Sequence, residues 1–139
     1  MNKLKKTIVV AAIIILNNKV LIGRRNANQA LGGYWEFPGG KLENNESLAQ
    51  CLRREIREEL GVNAIISDDI FAEYSYEYGG KKIQRVAMLA NIYEKLSAST
   101  AHDLLAWVNC DDLLTHKLVP SDISIAKKLI NTKLTGRTD

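Results

Sequence analysis

Three glutamates fall close together near the middle of the chain, at Glu55, Glu58 and Glu59. Apolar residues recur around them with the period of an amphipathic helix, which the sequence predicts over 46–60. On such a helix the acids repel one another, and an acid beside the apolar stripe also carries a desolvation cost. Carboxylates are the ligands that Mg²⁺ prefers, so a bound cation would offset both costs. A solvated acidic face, paired with neighbouring arginines, is the alternative interpretation.

The residues that flank the glutamates favour the metal site. From Gly40 the chain has five residues, Glu46, seven residues, and then the run Arg54-Glu55-Ile56-Arg57-Glu58-Glu59-Leu60-Gly61-Val62. This segment resembles the Nudix box, G-x5-E-x7-R-E-U-x-E-E-x-G-U with U apolar, and no position departs from it. At ordinary residue usage, a chance match to the fixed positions is on the order of 10⁻⁷. The chain therefore resembles the Nudix hydrolases.

The resemblance implies a role for each polar residue of the box. It implies that the three glutamates are ligands of Mg²⁺, for which Mn²⁺ can substitute, and that the Gly39 carbonyl reaches the same ion. Glu55 is the candidate for a second role as general base. Glu46 and Arg54 complete the implied catalytic set, as the pair that fixes the loop against the helix. The bound ions would neutralise a polyphosphate and orient a water for in-line attack on phosphorus.

A second resemblance concerns the substrate. The segment Trp35-Glu36-Phe37-Pro38-Gly39-Gly40-Lys41 is similar to the W-E-F-P-G-G-K segment of the MutT-like branch, which includes 8-oxo-dGTP diphosphatases and CTP pyrophosphohydrolases. It implies hydrolysis of a nucleoside triphosphate to the monophosphate and pyrophosphate, in a role that sanitises the nucleotide pool and supports DNA repair. Hydrolysis of CTP or 5-substituted dCTP is the alternative.

Three side chains are candidates for substrate contact near this segment. Arg24-Arg25 matches the branch's R-R pair, in which the second arginine helps to hold substrate phosphate. A solvated strand end is the alternative for Arg25. Phe37 and Lys41 lie within the matched segment itself, although Phe37 can equally pack in the core.

Two further positions concern the base. The segment 118–123 resembles the loop that begins the last helix of this branch, where an Asn or Asp reads the base, and Asp122 stands there. A carboxylate only accepts hydrogen bonds, so it suits cytosine N4 or the N1–H and N2–H₂ groups of guanine. Asp is also a favoured helix N-cap, and the two roles are compatible. Tyr78 is a candidate for stacking on the base, with a half-exposed hairpin aromatic as the alternative.

One position departs from the pattern of this branch. Relatives carry a further metal-binding Glu about six residues before the Trp of a W-V strand, and counting back from Trp107 places Ala101 there. The neighbours His102 and Asp103 can substitute, although a His-Asp pair in a loop is usually solvated. We expect the loss to lower metal occupancy or rate without removing the helix carboxylates. It is also the one feature that favours a non-catalytic nucleotide-binding module.

The composition limits the class of protein. The chain has 139 residues, 46% of them hydrophobic, which predicts a single globular domain over 1–139. A net charge of +3 is too mild for a duplex-binding protein but suits a nucleoside triphosphate. Cys51 and Cys110 lack a metal-binding spacing and are expected to be buried thiols in a reducing compartment, which favours the cytoplasm. The chain is expected to be a monomer or a homodimer.

The N-terminal segment imitates a signal peptide. Lys3, Lys5 and Lys6 precede an apolar run over 8–16. The run is rich in β-branched residues and leads into an Asn-Asn turn signal rather than a small-residue cleavage site, so a β-hairpin is predicted. It is also too short to span a bilayer, and no membrane partner is expected.

The elements that must position these residues mix strands with helices. Helices are predicted over 46–60, where Gly61 provides a C-cap, and over 121–134. Strands are predicted, with a hairpin turn at Gly79-Gly80, over 7–16, 19–25, 34–37, 62–66, 70–78, 82–93 and 106–109. The pattern predicts an α/β (α+β) sandwich in which helices cover a mixed sheet, and the resemblance implies the Nudix-type α/β/α arrangement.

Overall fold

A computed structural model of the chain describes residues 6–132, which form a mixed sheet of seven strands and two α-helices. In chain order the elements are β1 (Lys6–Leu16), β2 (Lys19–Arg25), β3 (Trp35–Glu36), β4 (Gly39–Lys41), α1 (Leu48–Leu60), β5 (Ala64–Tyr78), β6 (Lys81–Ile92), β7 (His102–Asn109), a 3₁₀ segment (Cys110–Thr115) and α2 (Pro120–Thr132). No helix in this part of the chain is both long and apolar enough to cross a membrane.

The central strand β1 divides the sheet at the point where the box begins. It pairs in parallel with β6 along most of its length. On its other edge it pairs with β4 at Val9–Ala11 but with β2 only at Ile15 and Leu16. The chain between β3 and β4 therefore enters the opening between the two pairings. This opening lies beside the segment that carries Phe37 and Gly39.

Two apolar cores lie on opposite faces of the sheet. Alternate residues of β1 supply both, since Val10 packs on one face and Ala11 on the other. The first core contains the apolar stripe of α1, represented by Leu52 and Ile56. The second contains the buried side of α2, including Ile125. The predicted sandwich of a mixed sheet between helices is confirmed.

Side-chain chemistry sets both ends of α1. Ser47 accepts from the Gln50 amide, and the Gln50 side chain accepts from the Ser47 amide, so the two residues form a capping box. At the other end Gly61 adopts the left-handed conformation, with φ 72°, that glycine tolerates best. The helix thus begins two residues later than predicted, and Glu46 lies in the loop before it.

Other element boundaries also differ from the predictions. The predicted strands 62–66 and 70–78 are one strand, β5, because irregular pairing between Ile66 and Ala72 absorbs the polar residues between them. Strand β7 begins at His102 rather than at 106, and α2 begins at Pro120. The predicted helix residues 133 and 134, and the lysines at positions 3 and 5, lie outside the described residues.

Two local predictions are confirmed. The β1–β2 hairpin turns at Asn17 and Asn18, which have φ values of 53° and 65°. Asparagine tolerates this left-handed region, which the two-residue hairpin turn requires. Cys51 and Cys110 are both buried.

Replacing Ile56 with Ala tests the packing of α1, which carries the glutamates. Ile56 is fully buried in the core beneath α1. We expect Ile56→Ala to lower the free energy of unfolding by about 2–5 kcal/mol, because the truncated side chain leaves a cavity. Ile65→Ala is the matched control, since Ile65 is 61% exposed, and it should cost about 1 kcal/mol or less. Urea denaturation measures both, and equal losses would contradict this packing.

Candidate active site

A polar cavity of about 200 Å³ lies beside the opening in the sheet. Elements distant in the chain meet there and contribute charged side chains or bare backbone: Arg25, Glu36, Gly39, Gly40, Glu59 and Arg85. Phe37 and Ala101 also line it. Of the residues singled out in the sequence, the structure therefore brings the β2 arginine, the β3–β4 segment and one box glutamate to one place.

Glu59 is the box glutamate that lines this cavity. Its Oε1 atom is buried and has no hydrogen-bond partner among residues 6–132. Burial raises the pKa of Glu59 well above its usual range, and the adjacent Glu55 carboxylate raises it further. Both effects disfavour the charged form, so the ionised carboxylate of Glu59 is energetically unfavourable in the metal-free protein.

The two glycines of β4 allow this acid cluster to sit against backbone. A Cβ atom at Gly40 would lie 2.3 Å from Glu55 Cδ, so a larger residue there would displace the carboxylate. A Cβ atom at Gly39 would lie 1.9 Å from the Val10 carbonyl oxygen, and its φ of 151° is one that other residues rarely adopt. Gly40 thus permits the close approach of β4 to α1, and Gly39 permits that of β4 to β1.

Arg54 and Glu46 connect the loop to the helix. Arg54 Nε donates to Glu46 Oε2 at 2.6 Å, and Nη2 donates to Oε1 at 3.0 Å. Nη2 also donates to the Lys41 carbonyl at 3.1 Å, which links the pair to β4. The hydrogen bonds from Arg54 lower the pKa of Glu46 to about 2. This geometry is the one implied for the pair by the sequence resemblance.

Glu55 and Glu58 also contact Arg54. Its Nη1 atom donates to Glu55 Oε2 at 2.8 Å and to Glu58 Oε1 at 3.4 Å. The Glu58 side chain is 61% exposed. Within residues 6–132, no three acidic, histidine or cysteine side chains already form a metal-binding cluster. Coordination of one ion by all three box glutamates would require the exposed Glu58 side chain to turn inward.

On the other side of the cavity, Glu36 is held by two basic side chains. Arg25 Nη1 donates to its Oε1 atom at 3.0 Å, and His102 Nε2 lies 2.9 Å from its Oε2 atom. Burial alone would raise the pKa of Glu36, but the hydrogen bond from His102 and the charge of Arg25 outweigh it, and the pKa is lowered. Arg25 also donates to the Ala30 carbonyl, so its guanidinium is fixed at the cavity wall.

The two residues that follow Ala101 have hydrogen-bond or ion-pair partners of their own. His102 is buried rather than solvated, and its Nδ1 atom lies 2.9 Å from Ser99 Oγ while Nε2 faces Glu36. Both imidazole nitrogens are therefore occupied. Asp103 forms an ion pair with Arg24 at 2.7 Å. Neither His102 nor Asp103 lines the cavity beside Ala101, and substitution of either for a Glu at Ala101 stays a prediction.

Asp122 lies inside α2 and not at its cap. The segment before α2 pairs with Trp35, since Trp35 donates to the Lys117 carbonyl and accepts from the Val119 amide. This pairing brings Asp122 under Phe37, whose amide donates to Asp122 Oδ2 at 2.9 Å. The predicted capping role is wrong, because Pro120 starts the helix and Asp122 is its third residue.

Arg85 was not predicted as a site residue, yet it pairs with Asp122 and lines the cavity. Its Nε and Nη2 atoms lie 2.9 and 2.8 Å from Asp122 Oδ1. The two side chains are almost completely buried. Burial raises the pKa of Asp122, although Arg85 and the Phe37 amide oppose the shift. The available sequence signal was a lone charge at the start of the apolar β6 run, and its partner lies 37 residues away.

Lys41 and Tyr78 do not line this cavity. They share a neighbouring depression with Tyr76 and Lys81, and Val9 borders both spaces. Tyr78 is 76% exposed, as in the alternative considered for a hairpin aromatic. Phe37 is 1% exposed and packs in the core beneath α2, while one side borders the cavity. Its core role and its place at the cavity are thus combined.

Known proteins resemble this chain over most of its length. A family profile described as NUDIX domain matches residues 5–129. A CTP pyrophosphohydrolase of Escherichia coli is 37% identical over 117 residues, which cover 84% of this chain and 86% of that protein. An 8-oxo-dGTP diphosphatase of Buchnera aphidicola is 36% identical over 79% of this chain and 82% of that protein. The solution structure of the E. coli ORF135 protein superposes with a TM-score of 0.85, with 34% identity, 98% of this chain and 96% of that chain covered.

Replacing Glu59 tests how much its buried carboxyl group lowers the free energy of unfolding of the metal-free protein. The pKa of Glu59 is higher in the folded than in the unfolded protein. The free energy of unfolding is therefore highest at low pH and declines as pH rises above the unfolded pKa of the side chain. We expect Glu59→Gln, measured in EDTA at pH 7–8, to raise the free energy of unfolding by about 2 kcal/mol. Glu58→Gln is the control, because the Glu58 side chain is mostly exposed. Thermal denaturation between pH 5 and 9 checks the result, and an unchanged or lower melting temperature for Glu59→Gln would contradict it.

Proposed function

Because the chain belongs to the NUDIX domain family and hydrolyses phosphoric anhydride bonds, we propose that it is a Mg²⁺-dependent nucleoside triphosphate pyrophosphohydrolase. The proposed products are the nucleoside monophosphate and pyrophosphate. The observation that carries this proposal is the Glu59 carboxylate, which lines the cavity with one buried oxygen lacking a partner. Such an acid is costly in the free protein and becomes favourable when a cation joins it.

The chemistry of the cavity suits Mg²⁺. The proposed ligands are Glu55, Glu58 and Glu59 with the Gly39 carbonyl, all of them hard oxygen donors of the kind that Mg²⁺ selects. Mn²⁺ accepts the same donors. When bound, the metal would neutralise phosphate charge and lower the pKa of a water molecule. Close approach of backbone to Glu55 at Gly40 supports this placement, since a Cβ atom would fill the space.

The chain's own side chains would position the polyphosphate and the attacking water. Arg25 is fixed at the cavity wall, where its guanidinium supplies positive charge for a phosphate group. Lys41, in the adjacent depression, is proposed to contact the same polyphosphate. Glu55 is proposed to accept the proton of the water, and Arg54 holds its carboxylate in position.

The proposed substrate is an oxidised purine triphosphate of the 8-oxo-dGTP type. The similarity to the Buchnera 8-oxo-dGTP diphosphatase and the sequence from Trp35 to Lys41 support it. CTP or a 5-substituted dCTP is the second candidate, because the E. coli relative at 37% identity is named a CTP pyrophosphohydrolase. Residues 1–139 are proposed to form one domain that carries the complete site.

Loss of turnover in a glutamate variant tests the catalytic proposal. We expect the wild-type protein with Mg²⁺ to release pyrophosphate from a nucleoside triphosphate, and EDTA to abolish the reaction. Glu59→Gln should lower kcat by about 100-fold or more, because it removes a charged metal ligand. Glu77→Gln is the matched control, since Glu77 is an exposed acid on β5. Coupled detection of pyrophosphate and orthophosphate measures the products.

Two outcomes of that assay would contradict the proposal. Release of orthophosphate in place of pyrophosphate would exclude cleavage to the monophosphate. Nucleotide binding without turnover in the wild-type protein, across canonical, oxidised and methylated nucleotides, would instead favour the non-catalytic module.

A comparison of kcat/KM among nucleotides tests the substrate. We expect 8-oxo-dGTP to exceed dGTP, CTP, dCTP and 5-methyl-dCTP by at least about 10-fold, since a site must exclude the abundant normal nucleotides to sanitise a pool. Initial rates at substrate concentrations below KM give the ratios directly. A higher kcat/KM for CTP or the substituted dCTP would select the second candidate.

A further inference from the structure

The cavity wall contributed by β6 contains a positive charge that is almost fully buried. Arg85 stands opposite Val9 in the parallel pairing of β1 with β6, and both residues line the cavity. The guanidinium is held from one side, because Nε donates to Asp122 Oδ1 and Nη2 lies 2.8 Å from the same oxygen. Its orientation is therefore set by an ion pair inside the protein.

Asp122 itself is unavailable for direct contact with a ligand in this arrangement. Its side chain has no solvent exposure. One carboxylate oxygen accepts from Arg85 Nε and lies in ion-pair contact with Nη2, and the other accepts from the Phe37 amide. Breaking these contacts would leave a buried charge without its partner, which is strongly unfavourable. The Asp122 carboxylate, which the sequence predicts as a hydrogen-bond acceptor for the base, therefore faces the protein interior.

The second terminal nitrogen of Arg85 has a different environment. No hydrogen-bond acceptor among residues 6–132 contacts Nη1, and this atom is absent from the buried groups that lack a partner. Arg85 lines the cavity, so Nη1 is the guanidinium nitrogen left to donate to a ligand there. Arginine carries five N–H donors and no acceptor, so this wall presents only donors to a ligand.

We propose that Arg85 is the residue that reads the base, and that Asp122 is a positioning residue that holds Arg85. The inference rests on the proposed function only in taking a nucleotide as the ligand of the cavity. A charged donor at this wall selects a base with an exocyclic carbonyl over one with an exocyclic amino group. It therefore favours 6-oxopurines, which include guanine and its oxidised form, over adenine.

The test compares two monophosphates that differ at the purine C6 position. Deoxyinosine monophosphate has a C6 carbonyl, whereas deoxyadenosine monophosphate has an amino group there. Calorimetric titration of the wild-type protein with each, in the presence of Mg²⁺, should give a dissociation constant about 10-fold lower for the inosine nucleotide. Binding of a product needs no turnover, so this readout is independent of catalysis.

Two variants remove the proposed contact without leaving an unpaired buried charge. Arg85→Lys keeps a cation for Asp122 but has one nitrogen, which the carboxylate would occupy. The double variant Arg85→Met with Asp122→Asn removes both charges together. In each, the inosine-to-adenosine ratio should fall to within about 2-fold of unity, if thermal denaturation shows a folded protein. Arg24→Met is the matched control, because Arg24 pairs with Asp103 away from the cavity and should keep the ratio.

Asp122→Asn separates positioning from direct reading. The amide oxygen can still accept from Arg85, while Nδ2 cannot accept from the Phe37 amide, so that contact alone is lost. We therefore expect this variant to retain most of the inosine preference, and Asp122→Ala to lose it. A changed preference in Asp122→Asn with an unchanged one in Arg85→Lys would overturn the proposal in favour of Asp122. Equal affinities in the wild type, absence of measurable binding, or equal losses for both nucleotides in the Arg85 variants would also overturn it. The inosine preference could depend on Arg85 while the wild-type protein fails to hydrolyse any triphosphate. That result would refute the proposed hydrolysis and leave this inference intact.

Discussion

The Arg54 guanidinium is the interaction on which the geometry of the site depends. It joins the Glu46 carboxylate in the loop, the Lys41 carbonyl at the end of β4 and the Glu55 carboxylate on α1. These bonds hold β4 close enough for the Gly40 backbone to lie against Glu55. A lysine could not replace it, because a single ammonium lacks the planar fork that reaches several acceptors in fixed directions. The spacing between Glu46 and Arg54 is therefore a geometric requirement of the loop as well as a sequence signature.

The Glu59 carboxylate of the site is unfavourable in the metal-free protein, where no cation compensates it. The capping box at Ser47 and the left-handed Gly61 stabilise α1 at both ends, and its apolar stripe is buried in the core. The same helix must carry like charges within one turn and a carboxylate at Glu59 that has a buried, unpartnered oxygen. Strong local stabilisation of the helix thus compensates for electrostatic strain along one of its faces.

Local patterns predicted the parts of the protein that local forces determine. The periodicity around Ile56 indicated α1, and the asparagine pair at the first turn indicated the hairpin, because short-range packing and backbone conformation fix both. The continuity of β5 was missed, since only pairing with β6 across an irregular stretch maintains it. Arg85 was missed for a related reason, because its partner Asp122 meets it only after α2 folds onto the sheet.

Most charged side chains around the cavity are paired with one another, and Ala101 adds no further acid. Glu36 is bonded by Arg25 and His102, and the Asp122 carboxylate is bonded by Arg85 and the Phe37 amide. Neither acid therefore presents an uncompensated negative charge to an approaching polyphosphate. Among the described carboxylates at or beneath the cavity wall, Glu59 retains a buried oxygen without a partner. The acidic group without a partner consequently lies on the α1 side, while Arg25 and Arg85 line other walls of the cavity. Under the proposed function, a cavity divided in this way would attract a cation and a polyanion together, and each would bind better in the presence of the other.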